Sequence, residues 1–519
     1  MAPRIGVQSS PKVAQSYTVP AAVGGWNARD SLANMEPTDA VYLSNYFPAP
    51  TYVQIRLGSN NYATNLPGQV ESLLDYEGGA QSTLFAVSNG KIFNITAGGG
   101  VPAASVSGLA NSRLQYVNVA TTGGEFLLAV NGVNKLQGFD GTNWYVDGDG
   151  SHDITGLDTS TCVQINLFKN RVWFVQNNSL NVYYLNPLAI AGAATIFPLQ
   201  GVARLGGYVV ACGTWTVDGG YGLDDNLVFI TSKGEIIVYQ GTDPTSVTTF
   251  ALMGVWQLGA PVGRRCFLKY GGDLLLVTQD GLLPMSAALQ SSRLDPRVSL
   301  TNKIQYAVSS AVTEFGSNFG WEVIYFPKGN MLLLNIPTQT GSGQVQYVMN
   351  TITQAWCDFS NWNANCWVLW QDKIYFGGAG VVTQAWTGSA DNGANITSDA
   401  KQAFNPLGNP GLLKRCTMLK PIIATSGGTP GLQAAINVDF SDANPYTNAS
   451  LSPTPSPGGV WGVMQWGTGI WGAGVSVQNL WQGITGEGYY VAIRLKAVSN
   501  FLTAQWMAST VVYEQGGIL

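Results

Sequence analysis

His152 is the sole histidine of the 519-residue chain, and it sits in VDGDGSHD (146–153) beside Asp147, Asp149 and Asp153. Hard cations want several oxygens at alternate positions, so a calcium loop is one reading. The stretch lacks the distal bidentate Glu of an EF-hand, and Gly-Asp-Gly is ordinary turn chemistry, so a solvated loop is the expected one. Asp224-Asp225, near the Asp218-Gly219-Gly220 turn, is a second acidic spot whose paired carboxylates could do acid–base work on a glycan. Nothing in the spacing sets them at a working separation. GxSxG, HExxH and P-loop motifs do not occur. A Ser-His-Asp triad could be built only around His152, which has no nucleophile motif near it. The chain is expected not to be an enzyme, and no cofactor or metal is expected.

Aromatic and basic residues offer binding chemistry instead. Trp461, Trp466 and Trp471 recur at five-residue spacing in VWGVMQWGTGIWG (460–472), which puts them on neither one strand face nor one helix face. Such rings could stack on sugars; flanked by Gly, they are expected rather to anchor loops or fill an interface. Arg264-Arg265 and Lys414-Arg415 read as ion-pair partners for a neighbouring subunit. The six cysteines are scattered with no CxxC, and read as small buried hydrophobes.

Composition narrows the class. Charged residues are 11% against a usual ~25%, with 63 Gly, 16 Trp, 22 Tyr and 45% hydrophobics. That balance opposes disorder and leaves a neutral surface suited to packing against other subunits. A formal net charge of −5 without a basic run argues against tight sequence-independent DNA binding. The N-terminus lacks an apolar core of signal-peptide length, and no apolar run approaches ~18 residues. Synthesis in a cytosol without membrane insertion is expected.

The elements that carry these residues are nearly all strands. The centre is 227–286, where β-type runs at 227–231 and 235–240 flank Ser232-Lys233-Gly234 and stop at Gly241-Thr242-Asp243-Pro244. A second hairpin follows over 264–286, turning at Gly271-Gly272 and Asp280-Gly281. A hairpin this short cannot bury its own apolar face, so it must stack on neighbours of the same kind. Similar units of three or four short strands recur from about 59 to 395, with turns such as Asn89-Gly90 and Asn131-Gly132. The expected fold is therefore all-β: an irregular β-propeller (59–395), an N-terminal arm and short helical or extended segment (1–58), and a C-terminal β domain (396–519). A pair of β-sandwiches is the competing architecture. Residues 287–317 read as a partly helical insertion. Within the first segment, Thr38 or Asp39 is expected to cap a helical turn carrying Ala40, Leu43, Tyr46 and Phe47, ended by Pro48 and Pro50.

Three stretches together, GGWNARDSLANMEPTDAVYLSNYFP, KGEIIVYQGTDP and VGRRCFLKYGGDLLLVTQDGLLPMS, resemble a family of tailed-bacteriophage and prophage virion proteins. In short-tailed phages, this kind of protein is similar to the tail nozzle, or tail hub. The resemblance extends over 24–395 and more faintly beyond. It implies a propeller-bearing subunit of a homohexameric ring around a conduit for double-stranded DNA. The partners it implies are the portal-adaptor ring above and a needle, spike or fibre protein below, and the location is the virion tail. Its motifs carry no catalytic chemistry. Assembly contacts are expected at Trp26, Arg29, Asp30, Tyr46, Phe47, Trp461, Trp466 and Trp471, because neither stretch shows the blade pattern. A host-surface glycan-binding role is the alternative.

Overall fold

The computed structural model describes residues 13–79, 81–150, 152–218, 223–289, 296–339, 343–447, 450–455 and 476–516. The chain divides into two compact units, one of Met1–Gly58, Asn350–Asp358 and Gly388–Leu519, the other of Ser59–Met349 and Phe359–Thr387.

The larger unit is built from hairpins that cannot stand alone. Seven antiparallel sheets follow one another among its described residues. Their first strands are the 70–78 half of Ser59–Gly78, then Gln115–Thr121, Cys162–Phe168, Val209–Asp218, Phe267–Tyr270, Glu322–Phe326 and Cys366–Trp370, and later strands add in chain order. Each first strand adjoins the next, and Cys366–Trp370 adjoins Ser59–Gly78, so the series closes into a ring. The apolar runs are continuous because each sheet is covered on both faces. In Arg171–Gln176, Val172 and Phe174 pack toward the preceding sheet, with Val119 and Leu128. Trp173 and Val175 pack toward the following one, with Leu227 and Phe229. This is the irregular β-propeller expected from the repeats.

One strand closes the ring. Residues 59–69 pair with Ala379–Ala385 in the last sheet, and 70–78 then pair with Gln81–Ser88 in the first. Asn65, held at φ 66°, lies where the pairing with the last sheet shifts register, between Thr64 and Gln69. The hairpin at 227–241 forms as expected, with strands Leu223–Thr231 and Glu235–Gly241. So does the next, with Phe267–Tyr270, Asp273–Thr278 and Gly281–Pro284. The 287–317 segment carries helix α1 (Met285–Ala288) at its edge and helix α2 (Gln305–Phe315).

The smaller unit corrects the expected domain plan. Residues 14–20 form no free arm: Ala14–Pro20 pairs along its whole length with Thr503–Gln515. The expected helical turn at 38–47 is a pair of strands, Asp39–Ser44 and Tyr46–Pro48. Asn45 at φ 53° breaks the run, and tertiary pairing of 40–44 with Ile396–Gln402 overrides the capping signal. N- and C-terminal segments thus make one β unit rather than two domains. One of its sheets centres on Lys414–Ser426 and Thr503–Gln515, another on Ile396–Gln402 and Val491–Ser499. Gly486 lets Ile436 approach between them; a Cβ there would lie 2.7 Å from Ile436 Cδ1. The buried Arg56 guanidinium, bound by both oxygens of Asp391 and by Asn45, ties residues 45–57 to 391.

Candidate functional site

The first strands of all seven sheets line an axial cavity of about 370 Å³, among them Asp75, Tyr116, Gln164, Phe267, Glu322 and Trp367. Apolar residues face between sheets, and the first strands form the inner edges of the sheets, which border the axis. A polar residue there must find partners inside the ring, because little water reaches it. The ring provides them. Arg265 pairs with Glu322 at 3.2 Å and donates to Ser72 Oγ and the Glu71 carbonyl. Glu322 also accepts from the Trp367 backbone N–H. Burial pushes the Glu322 carboxyl above its ordinary range, against the pull of Arg265. Across the cavity, Tyr116 donates to Asp75, whose carboxyl burial likewise pushes up.

The cavity opens into a mouth of about 360 Å³, and the two meet at Gln115, Arg264 and Arg265. The mouth lies where the first strands begin. It is walled by the Asn131 turn, by Asn177 and by 316–321, the stretch that follows α2. The partly helical insertion therefore delivers its end to this opening. Phe319 lies under two guanidinium groups, with Arg113 4.3 Å and Arg265 5.3 Å from its centroid.

The residues singled out by sequence lie elsewhere or inside. Arg264 and Arg265 do not act as a surface pair: Arg265 is committed to Glu322, and Arg264 donates to Asn177 Oδ1 at 3.1 Å. Lys414 is fully buried and donates to the carbonyls of Asn409, Leu412 and Tyr489, so this basic pair is split as well. His152 stacks on Tyr145 at 4.4 Å. Around it, the Asp147 carboxylate accepts from Ile154 N–H and Thr159 Oγ1, and Asp153 accepts from Gly148 and Gly150 N–H. Asp225 is held by Thr216 and Lys169, whose bonds outweigh burial and keep its carboxyl below its ordinary range. All six cysteines are buried, and none forms a disulfide among the described residues.

Among the expected assembly contacts, Tyr46 and Phe47 are corrected outright. Both are buried in their own unit, Tyr46 against Trp506, because Tyr46–Pro48 is a strand paired with Val53–Ile55 and not a surface turn. Trp26 is half-buried, Arg29 exposed and Asp30 half-buried. Arg29 and Asp30 bind each other at 2.7 Å, and Asn27 holds Asp30 and Asp39 together. Trp461, Trp466 and Trp471 lie outside the described residues. Sequence reading missed Asp75, Arg113, Tyr116, Asn177 and Glu322. For Asp75 and Glu322 the signal was a carboxylate interrupting an apolar run, as in LLDYEG and WEVIYF; the other three gave none.

No family model matches the chain, and no curated protein matches it in sequence. Among solved structures, BBS1N in complex with ARL6DN is similar over 63% of this chain and 95% of its own, at 9% identity and a TM-score of 0.38. YCF48 from Cyanidioschyzon merolae is similar over 66% and 97%, at 12% identity and a TM-score of 0.32. At such scores the fold rests on strand order and ring closure, and these make the larger unit an irregular β-propeller in an all-β chain.

Proposed function

We propose that this chain is a non-enzymatic structural subunit of a bacteriophage tail, a nozzle protein that assembles into a homohexameric ring below the portal-adaptor ring. In this reading it conducts and gates genomic DNA during ejection and anchors a needle, spike or fibre protein. The observation that carries it is an open sheet edge. The outer strand Phe250–Gln257 exposes Leu252 and Met253, and Val247 beside it is 88% exposed. An apolar strand edge is a template for pairing with another chain, and ring subunits meet through such unlike surfaces. The charge-poor composition and the resemblance of 24–395 to virion proteins support the same reading. Duplex DNA, about 20 Å across given its groove dimensions, does not fit an axial cavity of about 370 Å³ into which Arg265 reaches to bond both Glu322 and Ser72. The conduit is therefore formed between subunits, not through a propeller. Glycan recognition at a host surface is the second reading, favoured by the polar mouth of the funnel.

Image classification without imposed symmetry, on the purified protein alone and with its adaptor, tests the proposal. Closed six-fold rings with a hole of at least about 20 Å are expected. Monomers that ignore the adaptor and adhere to host envelopes would sink it.

A further inference from the structure

We propose that the mouth of the propeller funnel binds a carboxylated sugar, with Arg264 holding the carboxylate. The inference is independent of the nozzle reading and stands on the geometry of the mouth alone.

Charge balance singles out Arg264. Three guanidinium groups line the mouth, those of Arg113, Arg264 and Arg265. Arg113 is paired with Glu71 at 3.0 Å and Arg265 with Glu322 at 3.2 Å. Arg264 has no carboxylate within ion-pair distance among the described residues, and its hydrogen bond goes to a neutral amide oxygen. The mouth thus carries one uncompensated positive charge in a concave setting. Arg264 stands exposed at the rim of the mouth, where partial burial pulls its pKa down and Tyr208 opposes. A guanidinium without a carboxylate partner presents a planar fork that matches an incoming carboxylate with two parallel bonds.

The surroundings point to a sugar and not to a bare ion. Asn177 accepts from Arg264 through Oδ1, which leaves its amide nitrogen as a further donor beside the guanidinium. Asn318 donates to the Pro337 carbonyl, which leaves its Oδ1 as an acceptor for a hydroxyl. Ser317 adds a hydroxyl at the same wall. Mixed amide and hydroxyl groups suit a polyol, and about 360 Å³ lies in the ~300–1,000 Å³ range of small-ligand sites. The walls are also held in place: Phe319 lies under the Arg113 and Arg265 guanidinium planes, and the buried Trp321 donates its indole N–H to the Phe315 carbonyl at the end of α2.

Calorimetric titration of the full chain with glucuronate, glucose and sulfate is the test. Glucuronate should bind one to one, with glucose at least tenfold weaker because it lacks the carboxylate. Arg264→Gln should lose glucuronate binding at least tenfold while its melting temperature stays at the wild-type value, since the side chain makes a single exposed hydrogen bond. Arg264→Lys, which keeps the charge and loses the fork, should bind several-fold weaker than wild type. Undiminished binding by Arg264→Gln would overturn the assignment. Sulfate binding as tight as glucuronate would reduce the mouth to a general anion cradle and overturn the sugar. Binding of a glutamate-rich peptide with none of glucuronate would overturn it in favour of a protein carboxylate.

Discussion

At the scale of single residues, several buried ionisable groups are spent on internal structure, among them Arg56, Lys414 and Asp358. Asp358 is the sharpest case. Its carboxylate accepts from Ser44 Oγ at 2.8 Å, and burial, with a smaller push from Asp399, raises its pKa to about 6. The unfolded value is about 3.9. Below pH ~4 the group is protonated in both states and costs nothing. Between about 4 and 6 the unfolded chain releases its proton first, so stability falls as pH rises, and above 6 the loss is complete. Asp358→Asn keeps an acceptor for Ser44 and removes the titration. Unfolding stability should therefore coincide with wild type near pH 4 and exceed it at pH 7, by about 3 kcal/mol. A constant difference across that range would show that Asp358 does not titrate as described.

At the scale of elements, turns decide which hairpins form. Gly234 sits at φ +80°, and a Cβ there would lie 2.3 Å from the Leu258 carbonyl oxygen. Gly271, in the next hairpin, has φ +60° with nothing within 4 Å of an added Cβ. Both turns need the left-handed region, which an L residue enters at a cost of about 1 kcal/mol. Only Gly234 adds a clash with backbone that cannot move aside. Gly234→Ala should lower unfolding stability by about 3 kcal/mol and Gly271→Ala by about 1 kcal/mol. Equal losses in denaturant titrations would mean that the 232–234 turn relaxes and that the close approach is not a constraint.

At the scale of the whole molecule, ring closure is the feature on which the propeller depends. Ala63, on the closing strand, pairs with Val382 on one side and Gly99 on the other and is 1% exposed. Proline there removes a ladder donor inside a sheet, which costs about 3 kcal/mol or more. Met253 lies at a bulge of an outer edge strand, between the Val238–Gly254 and Tyr239–Leu252 pairs, where proline is tolerated. Ala63→Pro should lower the melting transition of the propeller and admit proteases to the last sheet, while Met253→Pro leaves both unchanged. If the two variants behaved alike, closure by residues 59–69 would not be what holds the ring together.

Much of this was written locally in the sequence. Apolar runs such as LVFI and VWFV, cut by Ser-Lys-Gly or Gly-Gly, dictate short strands in tight hairpins, because backbone groups must pair and turns need residues that tolerate left-handed φ. The count of such hairpins calls for a stacked array, and residue 59 was legible as the start of the propeller. Which strands meet across the chain was not. The pairing of Ala14–Pro20 with Thr503–Gln515 joins segments almost 500 residues apart. The pairing of 59–69 with Ala379–Ala385 and the Arg265–Glu322 contact join others just as invisible to a local reading. The same holds for Tyr46 and Phe47, whose helical spacing lost to strand pairing with Val53–Ile55. Periodicity fixes which face of an element is buried, since it depends on neighbours a few residues away. Partner, depth and charge compensation depend on chains brought together only by folding, and those the tertiary structure decided.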